Sequence, residues 1–453
     1  MGNTYNFLKN VFQNLTKESK ENNSFIPTLL VLITIPLSYA FNNIAMGLFL
    51  ATAIFTYKKN HFSLQSHLIL PITLYVLMAL SYFWSIDKES TLPALSKEIP
   101  LLIIPIGFLL LKDFSATQKQ KIIAYYSYAI VLLTLYFLLR AVVRYWLRDD
   151  FRVFFYHGED HIDFGLVPKL LNAIHVSVFV AVAFFYFFTK EIKSKIDIFF
   201  SVLLFVFVLM LSSKNIILIF ILLVLLHVFF FSKSSHKLRL RNLIVFGLII
   251  GLIFSFGKIK TRFQQEFQTN SEKSLSANVV EGIPAGVHYV SLKEAWSNEK
   301  FTPNDYFPGT AFRVYQFRIF TELINDRMVF LMGFGLNASY PKIEEKAKFY
   351  NLYLGEEGKE GYQNKNFHNQ YIQNFAELGI LGFILLLLML IINVKIAYKS
   401  KDFVHFAFAI LMISLFLTES FLWRQRGVVF FTMMYCLFNS GIASNNSKSE
   451  QNL

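Results

Sequence analysis

The chain has 453 residues, of which 55% are hydrophobic, 17% aromatic and only 16% charged. This composition excludes a disordered, collagen-like or disulfide-rich chain. It also argues against a soluble globule, because soluble domains carry about 25% charged residues. The net charge of +13 is divided into short basic clusters between apolar runs, which is typical of membrane topology and not of nucleic-acid binding. Cys436 is the only cysteine, so neither an intramolecular disulfide nor a cysteine-based metal site can form. The composition therefore predicts an all-α polytopic membrane protein.

Apolar runs follow a polar N-terminal segment, residues 1–24, which is too long and too polar for a signal peptide and which we expect to be retained as a tail. A helix needs roughly 17–25 residues to cross the hydrocarbon layer. Runs of near-spanning length lie at residues 25–40, 43–57, 66–85, 97–111, 122–146, 166–189, 196–212, 215–231, 242–257, 370–394, 403–421 and 427–442. We therefore expect about twelve transmembrane helices. The first nine fall in residues 25–257 and the last three in residues 370–442, before a C-terminal tail, residues 443–453.

The basic residues between these runs predict the orientation. With the N-terminus in the cytoplasm, every second connection is cytoplasmic, and each of these connections is basic, as the positive-inside rule requires. The residues concerned are Lys58, Lys59, Lys112, Lys119, Lys121, Lys190, Lys193, Lys195, Lys233, Lys237, Arg239, Arg241, Lys395, Lys399 and Lys401. Both termini are then cytoplasmic.

The one large hydrophilic segment, residues 258–369, is then extracytoplasmic. It is too long for a plain connection and contains amphipathic stretches. Residues 311–325 carry apolar side chains at helical spacing, including Phe312, Tyr315 and Ile319, and predict a helix that lies along the membrane or packs on the bundle.

A histidine stands directly before the tenth predicted span. His368 is followed by Asn369 and, within the span, by Glu377. Histidine can take and return a proton near neutral pH, so at the mouth of a membrane cavity it could activate a hydroxyl. The alternative is an interfacial residue that caps the helix, a role that Asn369 could equally fill.

Cationic side chains on the predicted outer face form a second set of candidates. Arg313 and Arg318 lie on the amphipathic helix, and an arginine fork suits phosphate oxygens. Five residues correspond to about 140° around a helix, so these two do not share a face. Lys214 lies in a polar break between the seventh and eighth spans and offers a point charge. The alternatives are a solvated helix face for the arginines and snorkelling for the lysine.

The connection between the fifth and sixth spans carries basic residues against the positive-inside trend. Arg144 and Arg152 belong to this set, and an anionic ligand is one reason for their presence. His157 and His161 stand four residues apart, but the metalloprotease order of residues and a third ligand are both missing, so we expect no metal. His175, at the start of the sixth span, is expected to make a hydrogen bond between helices.

The order of short motifs in the second half resembles the O-antigen ligase family and its C-terminal polysaccharide polymerase/ligase module. The resemblance rests on an arginine in an amphipathic helix (Arg313), a Gly-x-Gly turn at residues 333–335, the His368-Asn369 pair, and Glu-x-Gly-x-x-Gly opening a span at Glu377. Residues 211–214 are similar to a Ser-Arg turn of the family, with lysine in place of arginine. Residues 418–427 also resemble ligase-like proteins.

The resemblance implies a glycosyltransferase of the bacterial inner membrane with its active site facing the periplasm. It would move a glycan from undecaprenyl pyrophosphate to a hydroxyl of lipid A-core or a related glycan or protein acceptor, with inversion at the anomeric carbon, in lipopolysaccharide biosynthesis. His368 would act as the base, with Arg313 in catalysis and with Arg313, Lys214, Arg318, Arg152 and Arg144 as candidates for holding the pyrophosphate. Asn369, His175 and Glu377 would support them. No cofactor, metal or nucleic acid is expected, and membrane lipids surround the chain.

Two alternatives stay open within the family and one outside it. An O-antigen or exopolysaccharide polymerase would lengthen a lipid-linked chain, and an O-linked protein glycosyltransferase would use serine or threonine of a protein. A transporter of a lipid-linked sugar would bind the same donor without covalent transfer. Neither the donor glycan nor the acceptor can be read from the residues.

Overall fold

A computed structural model describes residues 2–58, 65–155, 165–211, 213–232, 288–356 and 359–441, with isolated positions 244, 247 and 251. The described chain is mostly helical. Its helices are α1 (Gly2–Glu21), α2 (Phe25–Thr34), α3 (Tyr39–Phe55), α4 (Ser66–Leu80), α5 (Lys88–Glu98), α6 (Pro100–Leu110), α7 (Ala116–Arg148), α8 (Ala173–Thr189), α9 (Lys195–Met210), α10 (Lys214–Leu226), α11 (Leu292–Ser297), α12 (Gly309–Leu323), α13 (Arg327–Met332), α14 (Tyr340–Phe349), α15 (Gln370–Ser400), α16 (Phe403–Phe416) and α17 (Gln425–Asn439).

Five helical stretches of the described residues are long and apolar enough to cross a membrane. They are Ser66–Phe83, Lys88–Leu110, Ala116–Arg148, Lys214–Phe231 and Gln370–Ser400, and shorter apolar helices accompany them. The prediction of a helical membrane protein is therefore confirmed in its coarse form, whereas the count of twelve spans and the orientation stay predictions. The expected ninth span, residues 242–257, and the C-terminal tail, residues 443–453, fall almost entirely outside the described residues.

The helices α8 and α17 lie inside the bundle. Nearly every side chain of each helix is buried, as expected for helices that are apolar on all sides and packed by neighbours. By contrast, α7 exposes Leu132 and Leu139 and is 33 residues long, which corresponds to about 50 Å. Because the hydrocarbon layer is about 30 Å thick, the end of α7 extends beyond it.

A kink divides α15. Gly379 has φ +66° and breaks the helical hydrogen-bond pattern, which releases the carbonyls of Ala376 and Glu377. The backbone N–H groups of Phe334 and Gly335 donate to these two carbonyls at 2.9 Å each. The Gly-x-Gly turn is thus the element that satisfies the broken helix. Both glycines of that turn also have positive φ, which explains why glycine is needed there.

Residues 288–356 and 359–369 form a segment beside the N-terminal end of α15, named here the outer segment after its predicted side, and the end of the bundle beside it is called the outer end. It contains the short strands β1 (His288–Tyr289) and β2 (Asp305–Tyr306), paired in parallel, and β3 (Gly355–Glu356) and β4 (Lys359–Glu360), paired antiparallel. Helices α11 to α14 complete it. The expected helix at residues 311–325 is observed as α12.

The outer segment has its own apolar core. Phe312, Tyr315 and Ile319 of α12 are buried in it, and Phe375 and Ala376 of α15 belong to the same core. Burying the apolar face of α12 against α15 removes it from water, which is the main force that holds such segments together. The packing brings the polar start of α12 to the outer end of the bundle.

Candidate active site

The connection between α16 and α17, residues 417–424, is the point where the candidate residues meet. The Leu417 carbonyl accepts a hydrogen bond from Asn369 Nδ2 at 3.1 Å. The Thr418 carbonyl accepts from Arg313 Nη2 at 3.0 Å and Nε at 3.3 Å, and Thr418 Oγ1 accepts from Asn215 Nδ2 at 2.8 Å. One short connection thereby joins α10, α12 and the start of α15.

His368 lies immediately before α15 in a left-handed backbone conformation, with φ +45°. Histidine is among the residues that accept this conformation more readily than most. The backbone N–H of His368 donates to Asn366 Oδ1 at 3.0 Å, and the side chain of Asn369 caps α15 by accepting from the N–H groups of Tyr371 and Ile372 at 3.0 and 3.1 Å. The turn therefore fixes the imidazole at the outer end of the helix, with 32% of the side chain exposed.

The imidazole of His368 faces a buried carboxylate. Its Nδ1 lies 3.7 Å from Glu419 Oε2, and the Glu419 side chain is only 10% exposed. Burial would raise the pKa of the Glu419 carboxyl, but the neighbouring His368, with smaller effects of His175 and Arg313, holds that pKa below its ordinary value of 4.5. Glu419 is therefore ionised at neutral pH and can stabilise a protonated imidazole.

Arg313 is the second candidate residue at the 417–424 connection. Besides its bonds to Thr418, its Nη1 donates to the carbonyl of Gly309 at 3.2 Å, one turn earlier in α12. These three hydrogen bonds all go to neutral carbonyls, and the charge of Arg313 also helps to lower the pKa of Glu419. A fixed cation beside an ionisable base suits the binding of an anionic ligand.

Arg318 has different partners. Its Nη1 donates to the Asn298 carbonyl at 2.7 Å, its Nε lies 3.3 Å from Glu322 Oε1, and its guanidinium stacks 4.4 Å above the ring of Tyr350. Its side chain is only 14% exposed. The structure therefore does not bring Arg318 to the 417–424 connection, and its observed bonds favour a role in holding the outer segment together.

The remaining cationic candidates divide into two groups. Lys214 begins α10 next to Asn215, which is bonded to Thr418, so this lysine lies on an element attached to the site. Arg152, in contrast, is paired with Asp150 at 2.8 Å, and Arg144 Nη1 donates to the Gly165 carbonyl at 3.4 Å. Both arginines have acceptors within the connection after α7. His157 and His161 lie outside the described residues.

His175 and Glu377 are more deeply buried than His368. The centre of the buried His175 ring lies 4.3 Å from that of Phe421, and its Nε2 has no hydrogen-bond partner among the described residues, so the expected hydrogen bond between helices is not observed at this atom. Glu377 accepts from Gln373 Nε2 and, at 3.3 Å, from Ser339 Oγ, and it is almost completely buried. Glu377 therefore acts within the packing of α15 against the outer segment, below the exposed imidazole.

An open apolar groove of about 430 Å³ adjoins Asn369, the residue after His368. It lies between α12, the first part of α15 and Leu417, and its lining is mostly aromatic. The lining residues are Phe317, Phe320, Asn369, Tyr371, Ile372, Phe375, Phe383 and Leu417. Its mostly apolar surface suits the binding of an apolar group.

Residues 199–387 match the family model described as O-Antigen ligase. This segment is similar to the O-antigen ligase family. The resemblance drawn from the order of the motifs is thereby confirmed, and Lys214, Arg313, His368 and Glu377 all fall inside the matched residues. No curated protein gives a significant match to the chain.

Glu419 is a site residue that the sequence analysis did not select. It lies beyond the matched residues, near the end of the apolar run at residues 403–421. A carboxylate at a predicted membrane boundary is costly to bury, and that cost was the available signal. Among the described residues, no three His, Cys, Asp or Glu side chains cluster as metal ligands would.

Proposed function

We propose that the protein is an O-antigen ligase-like glycosyltransferase of the bacterial inner membrane, acting on the periplasmic face. Its donor is a glycan on undecaprenyl pyrophosphate, and its acceptor is a hydroxyl of lipid A-core or a related glycoconjugate. The observation that carries the proposal is the His368–Glu419 pair beside Arg313. The match to the O-antigen ligase family supports the reaction class.

The proposed reaction uses these groups in distinct roles. His368 takes the proton of the acceptor hydroxyl as its oxygen bonds to the anomeric carbon, and Glu419 stabilises the resulting imidazolium. The bond between the anomeric carbon and the phosphate oxygen breaks at the same time. Arg313, assisted by Lys214, stabilises the negative charge that develops on the departing pyrophosphate. The pyrophosphate is a preformed leaving group, so the chain's own residues need only bind, orient and move one proton.

The apolar groove supports the choice of donor. A polyprenyl tail is a long hydrocarbon, and the groove offers it an apolar surface that includes the rings of Phe320 and Phe375. A tail in the groove would bring its pyrophosphate close to Asn369 and therefore close to His368. Transfer then occurs at the boundary between lipid and water.

The experiment is transfer in liposomes that contain the purified protein, an undecaprenyl-pyrophosphate-linked glycan and candidate acceptors. Mass spectrometry of the acceptor should show the added glycan. His368→Asn is the matched variant, because asparagine also accepts positive φ and should preserve the turn while removing the imidazole. It should insert normally and give no product.

The other outcomes separate the alternatives. Longer lipid-linked glycans without acceptor modification would identify a polymerase, and glycan on a serine or threonine would identify a protein glycosyltransferase. Movement of the intact donor across the membrane, with no new covalent product, would refute the proposal in favour of a transporter. Full activity of His368→Asn would remove His368 from the mechanism.

A further inference from the structure

A buried glutamine bonds to both of the chain segments that carry the candidate pair, His368 and Glu419. Gln373 is in the first part of α15 and only 2% exposed. Its Oε1 accepts from the backbone N–H of Phe367 at 3.2 Å and from Ser420 Oγ at 3.4 Å. Phe367 is the residue before His368, and Ser420 is the residue after Glu419. One amide oxygen therefore connects the chain segments that carry the imidazole and the carboxylate.

The opposite side of this amide is fixed as well. Gln373 Nε2 donates to Glu377 Oε1 and, at 3.3 Å, to Ser339 Oγ. Because Phe367 offers an N–H and the Glu377 carboxylate is an acceptor, only one orientation of the amide satisfies both. The Phe367 N–H thus determines which way the amide points, Glu377 holds its nitrogen, and Ser339 connects it to the start of α14.

We propose that Gln373 is a positioning residue that sets the separation of His368 and Glu419, with Glu377 as its anchor. The proposal rests on the proposed function, since it assumes that this pair acts in the transfer. A general base must lie within reach of the proton it takes, and a displacement of about 1 Å in such a site can cost about a hundredfold in rate. Gln373 itself is buried away from the exposed imidazole and makes no bond to it.

The natural control is Gln370, one turn earlier in the same helix. It is also buried, at 3%, and its Oε1 accepts from the backbone N–H of Leu422 at 2.7 Å while its Nε2 donates to Asn374 Oδ1 at 2.7 Å. Gln370 therefore ties the same connection to α15 without touching the segment before His368. Replacing either glutamine with leucine removes a buried amide of equal size.

The test compares Gln373→Leu and Gln370→Leu with the wild type in the liposome transfer assay. Both variants should lose thermal stability to a similar extent. Gln373→Leu should lower kcat at least tenfold with the KM of donor and acceptor unchanged, whereas Gln370→Leu should retain kcat within about twofold, because only Gln373 bonds to the backbone before His368. Equal kcat losses in the two variants, or a wild-type kcat for Gln373→Leu, would overturn the positioning role.

A swap of the two groups gives a second test that does not depend on the leucine variant folding. Gln373→Glu alone places a second carboxylate against Glu377 and should lower kcat. Adding Glu377→Gln restores one carboxylate and one amide with the donor and acceptor exchanged, and should recover at least half of the wild-type kcat. Absence of recovery would contradict the proposal. If the wild type itself forms no product, the proposed function fails, which is a different result.

Discussion

The charge of Glu419 should increase the rate of glycan transfer. The loss of rate on removing this charge can be estimated from the geometry. Opposite unit charges 3.7 Å apart, as between Glu419 and a protonated His368, attract by about 4 kcal/mol at an effective dielectric constant near 20. The imidazole is 32% exposed, so solvent screens part of this attraction, and we take about 2 kcal/mol as the loss in Glu419→Gln. Since each 1.4 kcal/mol is a factor of ten, kcat should fall about 30-fold.

The assay is the initial rate of transfer in proteoliposomes at saturating donor and acceptor. Glu322→Gln is the control, because it makes the same chemical change away from His368. Glu322 lies in the outer segment and accepts hydrogen bonds from Lys346 and Tyr350 at 2.5 Å each. This control variant should lower thermal stability and leave kcat unchanged. A wild-type kcat in Glu419→Gln would show that the carboxylate does not assist the base.

The pKa of Glu419 adds a dependence on pH. A carboxyl whose pKa is lower in the folded than in the unfolded chain stabilises the fold above its ordinary value of 4.5 and loses that effect as the pH falls below it. The stability difference between the wild type and Glu419→Gln should therefore be full at pH 7 and shrink below about pH 4.5. A difference that is independent of pH down to pH 3 would contradict the ionised state assigned to Glu419.

Three further predictions concern the cation, the kink and metal dependence. Arg313→Ala should raise the KM for the donor and lower kcat, and Arg313→Lys should recover part of the loss; wild-type donor use by Arg313→Ala would eliminate its role. Gly379→Ala should reduce thermal stability by about 2 kcal/mol or more, since a Cβ would lie 2.2 Å from the Leu331 carbonyl oxygen at φ +66°, whereas Gly47→Ala, with open space around it, should not destabilise the protein. Transfer should persist in EDTA, and a loss that a divalent ion restores would refute metal independence.

Much of the helical layout could be predicted from the sequence, because the length and hydropathy of an apolar run indicate a spanning helix. The start of α5 could not, since Lys88–Glu98 is polar and its beginning depends on Asp87 Oδ1 accepting from the Ser90 N–H at 3.0 Å. Periodicity alone located α12. It could not indicate which carbonyls its arginines would reach.

Candidate site residues with distinctive chemistry could be predicted from the sequence. Those whose role depends on tertiary contacts could not. His368 and Arg313 are conspicuous in the sequence, and the structure brings both to the 417–424 connection. Glu419 carries one local signal, a carboxylate at a predicted membrane boundary, whereas Gln373 carries none that distinguishes it from a structural residue. The contacts of Gln373 with Ser420 and of Glu419 with His368 join residues 47 and 51 positions apart, which a single sequence does not encode in any short pattern.

The broken helix α15 also limits how the protein can be divided. A backbone carbonyl without a partner in apolar surroundings costs several kcal/mol, so a kink within a membrane helix persists only where other backbone groups satisfy it. Here the partners are Phe334 and Gly335, which belong to the outer segment. The outer segment is therefore not a detachable module added to a self-sufficient bundle. Bundle and outer segment form one folding unit, and the peptide groups that complete the membrane helix come from outside it.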